Sequence, residues 1–321
     1  MFLLALACAP TGGTDPLVDD TALDDTASDG DTADTDLVDP LSLAPLVDEA
    51  QLLTTITDLE NFGTRYSYTG GDETAAAYLV ARLEAYGLVV EQLPFEIDEG
   101  VQGVNLVARI DGRDTPDVVY AFSAHYDSTS DDPDVSAPGA DDNASGVAAV
   151  LEAARILSTR TLRSSAWFVL TAGEEQGSLG SLALAEAWVN EGVDLRGAIA
   201  PDMIGYWPLG NDDAMDILGD EQSEPLVMDM AAVADALGVA NKTWIEHRYC
   251  YGDDHTHYQD AGYPAISPMD CVEAHNVRGS DEETPHYHRT TDTVGTLHLP
   301  FTTRVAGVTT ATFAGWVGVL P

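Results

Sequence analysis

Three polar clusters interrupt the apolar runs of this 321-residue chain where metal or proton chemistry could begin. His125-Tyr126-Asp127 follows "DVVYAFSA", Glu174-Glu175 follows "SAWFVLTAG", and Asp202 closes "LRGAIAPD". In an extended chain residues i and i+2 point the same way. Asp127 can therefore accept one ring N–H of His125 and leave the other nitrogen facing a metal. Adjacent side chains diverge, so one of Glu174 and Glu175 can ligate a metal while the other serves as general base towards a water. "PGADDNASG" sets Asp141 and Asp142 directly before a helix. Either could cap that helix, or bridge two cations through its two oxygens. A carboxylate at the position of Asp202, the polar end of an apolar strand, is costly unless paired or metal-bound. In "TPHYHRTTDTVGTL" both His286 and His288 fit a metal, and spacing does not choose between them.

Two histidines and three carboxylates, one of them bridging, would give each of two ions three protein ligands, with the ions about 3.5–4 Å apart. A nitrogen and oxygen donor set without thiolate suits zinc best and also admits manganese or cobalt. Solvated loop ends are the bland reading. One coincidence would fit it, but three strands in succession ending on such residues do not.

The elements that must position these residues are legible as alternation. "VDEAQLLTTITDLENFG" and "GDETAAAYLVARLEAYG" carry apolar residues at helical spacing and stop near glycine. "LVVEQLPFEI" and "VQGVNLVARIDG" read as a hairpin turning at Asp98-Glu99-Gly100. Buried strands are expected at "DVVYAFSAHYDS", "SAWFVLTAGEE" and "LRGAIAPDMIGY", with a short one at "YPAISPMD". Helices are expected at "NASGVAAVLEAARIL", "SLALAEAWVNEG", "SEPLVMDMAAVADALG" and the closing "FTTRVAGVTTATFAGWVGVL". Continuous apolar strands alternating with helices predict an α/β domain whose sheet is covered on both faces and parallel at its centre. Ligands bind such sheets outside the carboxyl ends of the strands, which is where the polar clusters fall.

Composition narrows the partners. With 55 acidic residues against 13 basic the formal net charge is −42, and Lys242 is the single lysine. Nucleic acid and anionic membrane surfaces are poor partners at this charge, whereas a cationic group such as a peptide's terminal ammonium is drawn in. "MFLLALACAP" reads as the apolar part of a secretory signal ending at a lipid-modified Cys8, although it lacks a basic start and is shorter than the usual ~7–15 apolar residues. Thr11 to Pro40, built largely from Asp, Thr, Ala and Gly, cannot bury enough apolar surface to order itself. The expected organisation is a signal or lipoprotein segment at 1–8, an acidic disordered linker at 9–44 and one folded domain at 45–321. Export to the cell envelope or beyond, with a lipid on Cys8 as tether, is the matching localisation. Cys250 and Cys271 would then be free to form a disulfide, closing a loop of about 20 residues worth about 3 kcal/mol.

Taken together, "SAHYDS", "PGADDNASG", "TAGEEQGSLGS", "PDMIGY", "DDHTHYQDAGYPAI" and "YHRTTDT" resemble, in order, the zinc aminopeptidases of metallopeptidase family twenty-eight, from about Gln51 to the C-terminus. The resemblance implies a single three-layer α/β domain with a mixed, mostly parallel sheet of about eight strands. It implies two zinc ions held by His125, Asp142, Glu175, Asp202 and His288, with Asp142 bridging. His125 and Asp202 would share one ion, and Glu175 and His288 the other. It makes Asp127 the residue orienting His125, Glu174 the general base, and Asp141 only a neighbour of the bridge. Tyr287 matches an oxyanion-binding tyrosine, with Tyr251 as its competitor. The implied activity is release of N-terminal amino acids from peptides by a monomer, with the segment from Trp207 to Tyr251, and Trp244 in it, walling the specificity pocket. Glutaminyl cyclases share the fold and the His-Tyr-Asp-Ser stretch but use one zinc, whereas the "DDNASG" turn looks like the two-metal peptidases. Carboxypeptidases and dipeptidases of the same superfamily share the resemblance too, as do relatives that keep the fold as a binding ectodomain.

Overall fold

The computed structural model describes residues 37–206, 214–247, 253–269 and 284–321. Apolar residues at helical spacing build α1 (Glu49–Glu60), capped by the Asp48 side chain, and α2 (Gly71–Ala85). β1 (Val90–Asp98) and β2 (Val101–Ile110) form the expected antiparallel hairpin. There follow β3 (Thr115–His125), α3 (Gly146–Leu157), the two-residue β4 (Thr161–Leu162), β5 (Ser164–Thr171), α4 (Leu179–Glu191) and β6 (Asp194–Ile199). Next come β7 (Met215–Gly219), α5 (Glu224–Leu237), β8 (Asn241–Ile245), α6 (Asp254–Asp260), β9 (Ala265–Met269), α7 (Leu299–Val317) and β10 (Val319–Leu320).

Eight strands make one sheet in the order β1-β2-β5-β3-β6-β9-β7-β8. Its centre, β5-β3-β6-β9, is parallel, while β2 joins β5 and β7 joins β9 antiparallel. β10 and β4 pair separately. The central strands are apolar on both faces, and successive residues feed different cores. Phe122 and Ala124 of β3, with Phe168 and Leu170 of β5, pack in the core that holds α1, α2, α3, α5 and α7. Val119 and Ala121, with Trp167 and Val169, pack in the opposite core with Leu184, Ala185 and Trp188 of α4 and Tyr258 of α6. On the first face Phe313 of α7 meets Phe122 and Phe168 at ring centroids of 5.4 and 5.8 Å. On the second, Trp188 stacks on Tyr258 at 5.4 Å and meets Trp167 edge-on. Burying a side chain of this size contributes about 1.5–3 kcal/mol.

This register sets the site. His125 is paired with Thr171, so Glu174 and Glu175 lie just beyond it on the neighbouring strand. Phe122 is paired with Ile199, so the chain emerging from β6 brings Asp202 level with His125. All three clusters therefore share the carboxyl edge of the parallel strands.

One expectation needs correcting. The folded part starts before residue 45: Pro40–Leu46 forms a 3-10 helix, and its Leu43 is buried in the larger core. The acidic composition just upstream hides that turn. Part-buried Trp244 packs on Leu218 and Met269 and donates its indole N–H to Asp216 at 2.9 Å. β7, β8 and α6 have no counterpart among the expected elements, because runs of 5 to 7 residues are too short to display a period. The signal segment with Cys8, the Cys250–Cys271 pair and Tyr251 lie outside the described residues. No helix among the described residues is long and apolar enough to cross a membrane.

Candidate metal centre

His125 ends β3 with its ring buried. Its Nε2 lies 3.3 Å from Asp142 Oδ1 and 3.4 Å from Asp202 Oδ1. The other oxygen of Asp142 lies 3.3 Å from His288 Nε2, which is 3.0 Å from Glu175 Oε2. Two groups result, His125–Asp142–Asp202 and Asp142–Glu175–His288, in each of which the ligand atoms lie within 4.8 Å of one another. Asp142 belongs to both and offers each a different oxygen. All five side chains expected to hold metal are thus gathered in one place.

The turn before α3 explains how Asp142 comes to point this way. Neither aspartate caps the helix: Asn143 Oδ1 accepts from the Gly146 amide at 2.9 Å, and Asn143 Nδ2 donates to the Pro201 carbonyl at 2.9 Å. A Cβ at Gly146 would run into the Asn143 amide and the Pro201 carbonyl, so only glycine lets α3 start this close to the Asp202 loop. Asp142 is left free to face the two histidines.

Glu174 and Glu175 take different surroundings, as adjacent side chains should. Glu175 Oε1 accepts from the Thr129 amide at 2.9 Å while Oε2 faces His288. Glu174 Oε1 accepts from Ser178 Oγ at 2.8 Å. Asp127 differs from expectation. Its Oδ1 is 3.6 Å from His125 Nδ1, too long for a hydrogen bond. Its two oxygens instead accept from the Glu174 and Glu175 amides, each at 3.2 Å, because the start of that turn presents two parallel donors. Asp127 faces His125 but grips the glutamate turn. His288 adopts a left-handed backbone (φ 52°) and stacks against Tyr287 at 3.8 Å between ring centroids. His286 points elsewhere: its Nδ1 is 2.9 Å from Thr291 Oγ1 and its ring lies edge-on to Tyr206.

Electrostatics describe an acid-rich pocket short of positive charge. Burial opposes charge on His125, yet Asp202, Asp127 and Asp142 hold its pKa well above the ordinary imidazole value. His288, also opposed by burial, is pushed up to about 10 by Asp142 and Glu175. Burial would raise Asp142, but the two histidines hold it below the usual carboxylate range. Burial, then Asp142, lifts Glu175 to about 7. Burial likewise lifts Glu174 and Asp202 well above the ordinary range. Burial, with Asp142 next, raises the Tyr287 phenol. The donors fit a cation by a direct criterion: Nε2 of His125 and Oδ1 of Asp202, which face each other, are buried without a hydrogen-bond partner. Buried polar atoms rarely lack one, and ligation would supply it.

Around this centre Arg65 and Asp292 carry no role in the sequence reading, and Asp141 is left there as a neighbour of the bridge. Arg65, fully buried, donates to the carbonyls of Tyr126, Pro138 and Gly139 at 2.7, 2.6 and 2.8 Å. Burial lowers its pKa to about 10 against the pull of Asp292 and Asp127. Asp141 and Asp292 bind chiefly backbone amides. A lone arginine in "GTRYS" carries no signal, whereas Asp292 is visible inside "YHRTTDT" without a role.

Comparison with known proteins agrees with this geometry. A model of the family described as Peptidase family M28 matches residues 105–313. A protein of Pyrenophora tritici-repentis (strain Pt-1C-BFP) named "Probable zinc metalloprotease" is 28% identical over 326 residues, covering 84% of this chain and 67% of the relative. The crystal structure of the Legionella pneumophila LapA aminopeptidase superposes with a TM-score of 0.75 at 21% identity, covering 88% of this chain and 75% of that one. The Porphyromonas gingivalis glutaminyl cyclase superposes at 0.70 and 22% identity, covering 85% and 99%. At such identities these structures share the fold.

Proposed function

The chain belongs to peptidase family M28, and from that premise we propose that it is a zinc-dependent aminopeptidase, releasing N-terminal amino acids from peptides at a two-zinc centre. The observation that carries the proposal is Asp142, which gives one oxygen to each of two histidine–carboxylate groups. His125, Asp142 and Asp202 would hold one ion; Asp142, Glu175 and His288 the other. Bound zinc would supply Lewis-acid polarisation of the scissile carbonyl and make water acidic enough to lose a proton near neutral pH.

The chain's own groups do the rest. Ser178 holds Glu174 by one oxygen, and the other takes the proton from the attacking water and returns it to the departing amine. The raised proton affinity of Glu174 suits that return. The Tyr287 phenol, on the face of His288, donates to the developing oxyanion. The net charge of −42 favours a substrate that arrives with a free ammonium.

A single-zinc glutaminyl cyclase is the second reading, favoured by the shared fold. One set of measurements separates the two: elemental analysis, with aminoacyl, dipeptide and N-terminal glutamine substrates assayed with and without chelator. Near two zinc per chain and chelator-sensitive release of free amino acids are expected. Near one zinc with cyclisation of N-terminal glutamine would replace the peptidase reading.

A further inference from the structure

Besides Asp127, two buried carboxylates near the centre bind no cation in this scheme, and each grips a pair of consecutive backbone amides. The two oxygens of Asp292 accept from the N–H groups of Asp141 and Asp142 at 2.9 and 3.0 Å, and its carbonyl accepts from Ala140 at 3.2 Å. The two oxygens of Asp141 accept from the N–H groups of Gly205 and Tyr206 at 2.7 and 3.2 Å. Asp292 follows His288 on the same short segment, Asp141 precedes Asp142, and Gly205 follows Asp202. Each grip therefore fastens one ligand-bearing segment to another: His288 to Asp142, and Asp142 to Asp202. Asn143, through Pro201, and Ser145 Oγ, which accepts from Ile204 N at 3.1 Å, repeat the second link.

We propose that Asp141 and Asp292 are positioning residues that set the spacing of Asp142, Asp202 and His288 before any cation arrives. The proposal rests on the two-ion centre proposed above and adds what assembles it. A carboxylate held by two parallel N–H groups fixes the backbone in two directions at once. Ligands carried on a fixed backbone lose little further freedom when a metal binds, and outer residues that orient ligands typically control about 10–100-fold in metal affinity. Neither aspartate can be exchanged for asparagine without turning one acceptor into a donor aimed at an N–H.

The test reads metal directly. Apo-protein is titrated with Zn²⁺ against a chromophoric chelator, and Co²⁺-loaded protein is followed by its visible absorption, which reports ligand geometry. Asp292→Asn should weaken both ions about 10–100-fold and alter the cobalt spectrum, because the shared ligand moves. Asp141→Asn should weaken chiefly the ion held with Asp202. Wild-type affinities and spectra in both variants would overturn the proposal. Should a variant not fold, amide hydrogen exchange of the wild type decides: protection at 141, 142, 205 and 206 is expected without zinc, and protection that appears only with zinc would overturn it. A wild-type protein that binds two zinc ions yet cleaves no peptide defeats the aminopeptidase reading alone, because none of these readouts depends on turnover.

Discussion

The two cation-ready groups share Asp142 but differ in how they are held. His125 ends β3, Asp202 lies just past β6 and Asp142 sits in the turn before α3, and all three are buried, the His125 side chain being 1% exposed. Glu175 and His288 sit on turns, and the His288 side chain is 39% exposed. The first group draws two of its ligands, His125 and Asp202, from the sheet's register; the second draws one, Glu175, and takes its half-exposed histidine from a connecting segment. With two ions bound as proposed, the difference teaches that one should be retained and the other exchangeable, although both groups share Asp142.

The largest expected effect tests the sharing itself. Asp142→Ala should lose both ions and with them nearly all turnover, whereas Glu175→Ala should leave close to one zinc per chain by elemental analysis. Equal losses in the two variants would erase the distinction between the groups. Next comes Glu174→Gln, which removes the proposed base and leaves both groups whole. Zinc content should stay near wild type while kcat falls about 10²–10⁴-fold, and unchanged turnover would reassign the base. The smallest effect is in pH dependence. The His288 pKa is raised from 6.5 to about 10 and that of Glu175 from 4.5 to about 7, so folded apo-protein binds more protons than the unfolded chain between those limits. Stability from His288 is fully present below about 6.5 and is lost as pH rises through about 10. Glu175 likewise favours the fold below about 4.5 and ceases to as pH rises through about 7. The thermal midpoint of apo-protein should therefore fall across this window, and zinc should flatten the fall by replacing the protons. A midpoint that rises with pH would contradict the protonation described for this group.

Much of the centre is readable without the fold, for a physical reason. A metal ligand must be a particular side chain at the end of a particular element, so its identity and its place in an apolar pattern both show in the sequence. His125, Asp202 and the Glu174-Glu175 pair are legible that way. Spacing does not choose between His286 and His288, or between Asp141 and Asp142. Only the family resemblance, and then the geometry, separates them. What stays hidden acts through backbone partners. Arg65, Asp141 and Asp292 bind carbonyls or amides, which every residue has, so no pattern of side-chain types marks what they do, even where, as with Asp141, the residue itself stands out. The same limit hides β7 and β8, whose five residues each show no period, and the buried Leu43 in an acidic context.

The alternate residues of β3 feed two different cores, and β3 ends on His125. An insertion or deletion of a single residue in this strand would send Phe122 to the side of α4, Ala121 to the side of α7, and the imidazole away from its carboxylates, all in one step. Such a strand tolerates substitution of size but not of length. Diversification of what the protein accepts is therefore confined to the segments between strands, where length can change without turning the sheet inside out.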